Sequence, residues 1–175
     1  MKKNVVRSLI SAVTAGLLFS TSLASMAVED SANSIITLSI TPTIEISGVK
    51  DIPLTISNLS DPVEGDSTFC VAGFGFSTFS IRFDSDDDPE NGTAFVLTGN
   101  GVNVPYSVEF VNDTSESYQP VTSGTPINNL DRQADSCGSD NARFQVTVNQ
   151  NDWQNEDVLN GTIYTDTLLI TVASE

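Results

Sequence analysis

The chain has 175 residues, with 23 acidic side chains against seven basic ones and no histidine. Without histidine there is no serine–histidine triad and no histidine metal site, and so acidic a surface repels the phosphate backbone of a nucleic-acid partner. Two cysteines, with no C-x-x-C spacing between them, point away from a structural metal.

Residues 1–27 read as an export leader. Lys2, Lys3 and Arg7 precede an apolar run through Leu9-Ile10, Val13 and Gly16-Leu17-Leu18-Phe19, and small residues surround Ser25-Met26-Ala27. Cleavage is expected after Ala27, although Ser22-Leu23-Ala24 also meets the small-residue requirement. Ser11, Thr14, Ser20 and Thr21 interrupt the apolar run, which argues against a retained anchor, and no later stretch approaches a spanning length. Removal of the leader leaves Lys50, Arg82, Arg132 and Arg143 as the cations against all 23 acids. Such a surface favours solubility outside the cell and disfavours unaided docking to anionic membranes. Export to an oxidising compartment makes a Cys70–Cys137 disulfide the expected state, with two buried thiols as the alternative.

From Ile36 to Ser47 apolar and polar residues alternate, with Ile36, Leu38, Ile40, Pro42, Ile44 and Ile46 on one face, the period of a half-buried strand. Further strand signals follow at Ile52–Ile56, Phe69–Phe74, Phe79–Phe83 and Ala94–Leu97. Asn100-Gly101 marks a tight turn into Val104–Phe110. The segment Asn112–Asn141 reads mostly as loop, with a strand near Tyr118–Val121 as an option. Arg143–Val148 alternates cleanly, Asn151–Leu159 has room for a turn of helix anchored by Trp153, and Gly161–Val172 forms a last strand signal. Many short strands at this spacing, without a helical stripe, predict a single antiparallel β-sandwich.

Other chemical signals are weak. The run Asp84–Gly92 invites a calcium reading, but Pro89 stands where an EF-hand loop needs glycine and Phe95 where it needs glutamate, so it reads as a solvated turn. No carboxylate pair stands out from the acidic background as a glycosidase pair. Four Asn-x-Ser/Thr triplets occur, and we assign them no role. No enzyme activity, cofactor or metal is expected.

The stretch Gly161-Thr162-Ile163-Tyr164-Thr165-Asp166-Thr167-Leu168-Leu169-Ile170-Thr171-Val172 resembles the G-x-Y-x-D-T-[LV]-x-[IV]-x-V signature of spore coat protein U domains and archaic chaperone-usher pilus subunits, with Ile163 as an additional residue. The stretches Ile44–Ile52 and Cys137–Phe144 are similar in character to such subunits. The resemblance implies an immunoglobulin-like sandwich that lacks its last strand and exposes an apolar groove. It further implies capture by a periplasmic chaperone, transfer at an outer-membrane usher and a head-to-tail polymer. In these terms residues 28–42 are a donor-strand extension and residues 43–175 the pilin-like body. Ile36, Leu38 and Ile40 are the expected plugs, and Pro42, which has no amide hydrogen, ends their ladder. Tyr164, Leu168, Ile170 and Val172 are expected to line the groove and to face the chaperone. Two alternatives stay open: an ordinary first strand paired within its own domain, and a self-sufficient secreted sandwich that coats a surface or binds carbohydrate.

Overall fold

The computed structural model describes residues 29–87, 94–154, 158 and 163–175. Glu29–Thr37 belongs to a unit of its own and carries no helix or strand, and the body begins at Leu38. Among the described residues, the body's elements are β1 (Thr43–Ser47), β2 (Val63–Phe74), β3 (Thr78–Ser85), β4 (Phe95–Gly99), β5 (Val102–Val111), β6 (Gln119–Pro120), β7 (Ile127–Asp131), β8 (Gln133–Ala134), β9 (Ala142–Val148), the helical turn α1 (Gln150–Trp153) and β10 (Leu168–Ser174).

The strands form two sheets. One runs in the order β1-β2-β9-β5-β4, with β6 on β5 and β8 on β2, and the other in the order β10-β3-β7. Period-2 alternation explains how they face each other. Phe79, Ile81 and Phe83 of β3, Phe144, Val146 and Val148 of β9, and Val104, Tyr106, Val108 and Phe110 of β5 all turn inward and are buried. The Phe83 ring lies 5.5 Å from that of Phe110 and 5.8 Å from that of Phe144, so aromatic contacts join the two sheets directly. This is an antiparallel β-sandwich, as the sequence pattern requires. Its single parallel pairing among the described residues sets β8 against Ala72 and Gly73 of β2.

Three elements depart from the sequence expectation. The opening run from Ile36 enters a ladder only at Thr43, where β1 pairs with β2 from Thr43↔Phe74 to Ser47↔Cys70. The expected strand at Ile52–Ile56 alternates in burial but joins no sheet. Gly48, at φ +88°, turns the chain out of the ladder at a conformation that side-chain-bearing residues rarely adopt. Beyond it the segment still follows β2: Lys50 N–H donates to Ser67 Oγ at 3.0 Å, and Ile52 fills the space over Gly65, where a Cβ would lie 2.3 Å from its Cγ2.

The third departure is β7, which the loop assignment for Asn112–Asn141 overlooked. Ile127 and Leu130 are three residues apart, which breaks the period of two, because Asn129 at φ 60° accompanies a shift in the register against β3. The Asn100-Gly101 turn has both residues at positive φ (52° and 76°), as a two-residue hairpin demands. Trp153 is buried as expected, whereas Asn91-Gly92 and Gly161-Thr162 lie outside the described residues.

Cys70 and Cys137 form the disulfide, with Cα atoms 5.7 Å apart across a separation of 67 residues. It tethers the loop after β8 to β2 at the place where β2 exchanges β9 for β1 as its partner. Closing a loop of that length stabilises the fold by about 4 kcal/mol in the chain-entropy model. The Cys70→Ala/Cys137→Ala variant is therefore expected to unfold at lower urea concentration, with a loss of roughly 2–5 kcal/mol, as measured by near-ultraviolet circular dichroism.

Candidate functional site

Between the two sheets, on the side where β1 leaves its ladder, lies a groove of about 910 Å³. One wall is the segment 49–56. The other is formed by residues 163–168 and Ile170, and the floor by the inward side chains of β5 and β9 with Val63. The two walls share a backbone property. β10 is hydrogen-bonded to β3 on one side and is the edge strand of its sheet on the other. Among the described residues no backbone hydrogen bond joins 51–57 to a neighbouring strand. Two stretches of backbone without strand partners therefore border the apolar gap, a costly arrangement unless a strand or water satisfies them.

The side chains show the same deficit. Leu168, Ile170 and Val172 share the inward face of β10, yet each is only half-buried, as are Ile52 and Leu54 on the opposite wall. Floor residues such as Val104 and Val148 are buried. Tyr164, Leu168 and Ile170 line this groove. Val172 points the same way, but it packs against the core towards the end where β1 and β10 approach one another. The expected plugs lie outside any strand and are exposed: Ile36 at 93%, Leu38 at 84% and Ile40 at 53%.

The closing run is less regular than its sequence pattern. The continuous strand starts only at Leu168, and before it Thr165 makes an isolated bridge to Thr98, with N–H···O distances of 2.9 and 3.0 Å. Between these two lies Asp166, a residue that sequence reasoning did not single out beyond its place in the signature. Its carboxylate accepts from the Tyr106 hydroxyl at 2.5 Å, the Ser85 hydroxyl at 2.7 Å and the Asp87 N–H at 3.2 Å. Asp87 in turn accepts from Thr98 Oγ1 at 2.6 Å. This network fastens the segment ahead of β10 to β3, β4 and β5, and so fixes the position at which β10 begins. Burial, followed by the hydrogen bond and charge of Asp166, pushes the Tyr106 phenol far above its ordinary value. Tyr106 thus stays a neutral donor. Tyr164 is held by its own hydroxyl, which donates to the Val158 carbonyl at 3.0 Å.

Among the described residues no group of three or more His, Cys, Asp or Glu side chains is placed to hold a metal ion, and no helix is long and apolar enough to cross a membrane. Residues 88–92 of the acidic run lie outside the described residues, while Asp84 pairs with Arg82 at 2.8 Å. The groove is distinguished by shape, apolar lining and free backbone edges.

No protein-family model matches the sequence, and a search of curated proteins finds no significant match. The fold does have solved counterparts. A chain from the chaperone–tip adhesin complex of CFA/I fimbriae biogenesis is similar with a TM-score of 0.50 and 17% identity, covering 75% of this chain and 42% of that one. CfaE, the adhesive subunit of the CFA/I fimbria of enterotoxigenic Escherichia coli, gives a TM-score of 0.37 and 13% identity over 70% of this chain and 44% of its own. The chain thus spans under half the length of either solved protein. The first of these likenesses shows a β-sandwich fold shared with part of a fimbrial complex.

The Asp166 network yields a mutational test. Asp166→Ala leaves the buried Tyr106 and Ser85 hydroxyls without their acceptor and is expected to cost about 1–3 kcal/mol in urea unfolding, whereas Asp166→Asn, which keeps one carbonyl acceptor, costs less. The raised Tyr106 phenol contributes stability that is complete below about pH 10, where unfolded tyrosine begins to ionise, and that is lost as pH rises further. Tyr106→Phe should remove that share of the alkaline decline, read by phenolate absorbance alongside unfolding.

Proposed function

We propose that this protein is a structural subunit of an adhesive pilus, polymerised by insertion of one copy's amino-terminal extension into the groove of the next. The observation that carries the reading is the pairing of an unfilled apolar groove, bounded by two free backbone edges, with an exposed alternating run ahead of the body. Ile36, Leu38 and Ile40 repeat every second residue, as do Leu168 and Ile170 along the groove wall, with Val172 continuing the same face of β10. A strand laid between β10 and the segment 49–56 pairs its main chain with both edges and drops alternate side chains onto the floor. Burying the three plugs is worth roughly 5–9 kcal/mol before ordering costs. Pro42 stops the ladder where the next body begins. Because the donor and the acceptor are different surfaces, the contact is heterologous and propagates a filament.

In this reading residues 1–27 are removed on export, residues 28–42 form the donor extension and residues 43–175 the body. The empty groove needs a protector before assembly, which a periplasmic chaperone supplies, and an outer-membrane usher supervises the exchange. The protein is non-enzymatic and takes no cofactor. Its partners are the chaperone, the usher and other pilus subunits, and not nucleic acid or the bilayer. The fold shared with part of a fimbrial complex supports this reading, as does the signature around Asp166.

The decisive comparison deletes residues 28–42 from the mature chain and adds a peptide copying Ser34–Pro42. The truncated body is expected to aggregate alone and to become monomeric, with a higher melting temperature, when the peptide is present. A peptide carrying Leu38→Asp is expected to lose this effect. In the full chain Leu38→Asp should block polymer growth while sparing chaperone capture. A truncated body that is monomeric, stable and indifferent to the peptide contradicts the proposal and favours a self-sufficient secreted sandwich.

A further inference from the structure

Among the described residues outside the extension, large apolar side chains are exposed at Val49, Ile56, Leu59, Phe74, Ile163 and Leu169, and two places among these bear on how copies meet. At the α1 end of the groove stand Ile56, Leu59 and Ile163, with Leu59 66% and Ile163 72% exposed. Ile56 and Ile163 line the groove beside Trp153. Leu59 is held at the same end, because the side-chain amides of Gln150 on α1 and of Gln154 just after it both donate to its carbonyl. The second place is the root of the extension. Phe74 closes β2 opposite Thr43 and is 51% exposed. Its neighbour Gly75 lies against the same root, since a Cβ there would sit 3.0 Å from Ile40 Cγ2 and 3.1 Å from the Pro42 Cα.

The shape of the groove relates these two places. Its first wall begins at Val49, after β1, because β1 and β10 approach one another and close that end. A donor strand has a free amino end but a folded body attached at Pro42. The body cannot pass the closed end, so the strand lies with its amino end towards β1 and its Pro42 end towards α1, antiparallel to β10. That orientation brings the root of the donor copy, with Phe74, onto the rim formed by Ile56, Leu59 and Ile163 of the acceptor copy. An apolar rim exposed around a binding groove marks a contact surface.

Building on the donor-strand reading, we propose that successive copies meet through a second, apolar joint, in which Phe74 of the donor packs on Leu59, Ile56 and Ile163 of the acceptor. The occupant of this rim is a second copy of the chain. The joint lies outside the groove, adds to the inserted strand and sets the angle between neighbouring bodies. Aromatic side chains placed like Phe74 commonly dominate such contacts.

The test uses the full mature chain after assembly. Phe74→Cys/Leu59→Cys is expected to give a ladder of covalent multimers on a non-reducing denaturing gel, since both native cysteines are already joined to each other. Phe74→Cys/Val49→Cys places the second thiol on the groove wall at its β1 end and should give none. Independently, Phe74→Ser should speed subunit exchange between labelled polymers by about tenfold, while capture of the Ser34–Pro42 peptide by the body is unchanged. A ladder from the Val49 pair reverses the orientation and overturns the joint. Polymers that form normally, show no Leu59 ladder and exchange at the parental rate overturn it as well. Failure of the peptide to bind overturns the donor-strand reading and, with it, the joint.

Discussion

Two strand edges that face each other without pairing govern this molecule. β10 is satisfied by β3 on one side only, and the segment 49–56 runs beside β2 without joining its ladder. In a completed sandwich the space between them holds a strand, whose side chains would cover Leu168, Ile170, Ile52 and Leu54. Here these side chains stay half-buried around a groove whose floor is fully formed. The deficit is local: Phe69, Phe83, Phe110 and Phe144 are buried and joined by aromatic contacts in the rest of the core.

The features that keep the gap open are polar or conformational rather than apolar. Gly48 turns the first wall out of its ladder, and the Ser67 hydroxyl takes over the Lys50 amide that a strand partner would otherwise hold. Asp166 anchors the second wall through Tyr106 and Ser85, so β10 begins at a fixed place and presents a straight free edge. The disulfide secures β2 at the point where the first wall diverges. Together they hold the two walls of the groove in place, and such preorganisation reduces the ordering cost of any strand that enters it.

Much of this was legible in the sequence where burial on one face imposes a period of two. β3, β5 and β9 follow their alternating residues closely, and two cysteines left one pairing to make. Alternation reports faces, however, and says nothing of backbone partners. Ile52 and Leu54 alternate as a strand does, yet the segment has no ladder, and Tyr164-Thr165 reads as strand but supplies a single bridge. β7 escaped notice because the bulge at Asn129 separates Ile127 from Leu130 by three residues. The role of Asp166 was hidden for a different reason. Its side-chain partners lie 60 and 81 residues away, so no local spacing relates them.

The central claim is that the free edge of β10 lacks a partner until a strand enters the groove. Amide hydrogen exchange over Leu168–Ser174, measured on the body alone and then with the Ser34–Pro42 peptide, tests it most directly. The account predicts that the β10 amides directed away from β3 exchange rapidly in the body alone and become strongly protected with the peptide, while those bonded to β3 change little. Equal protection of both sets in the body alone would contradict it, because the edge would then already be paired.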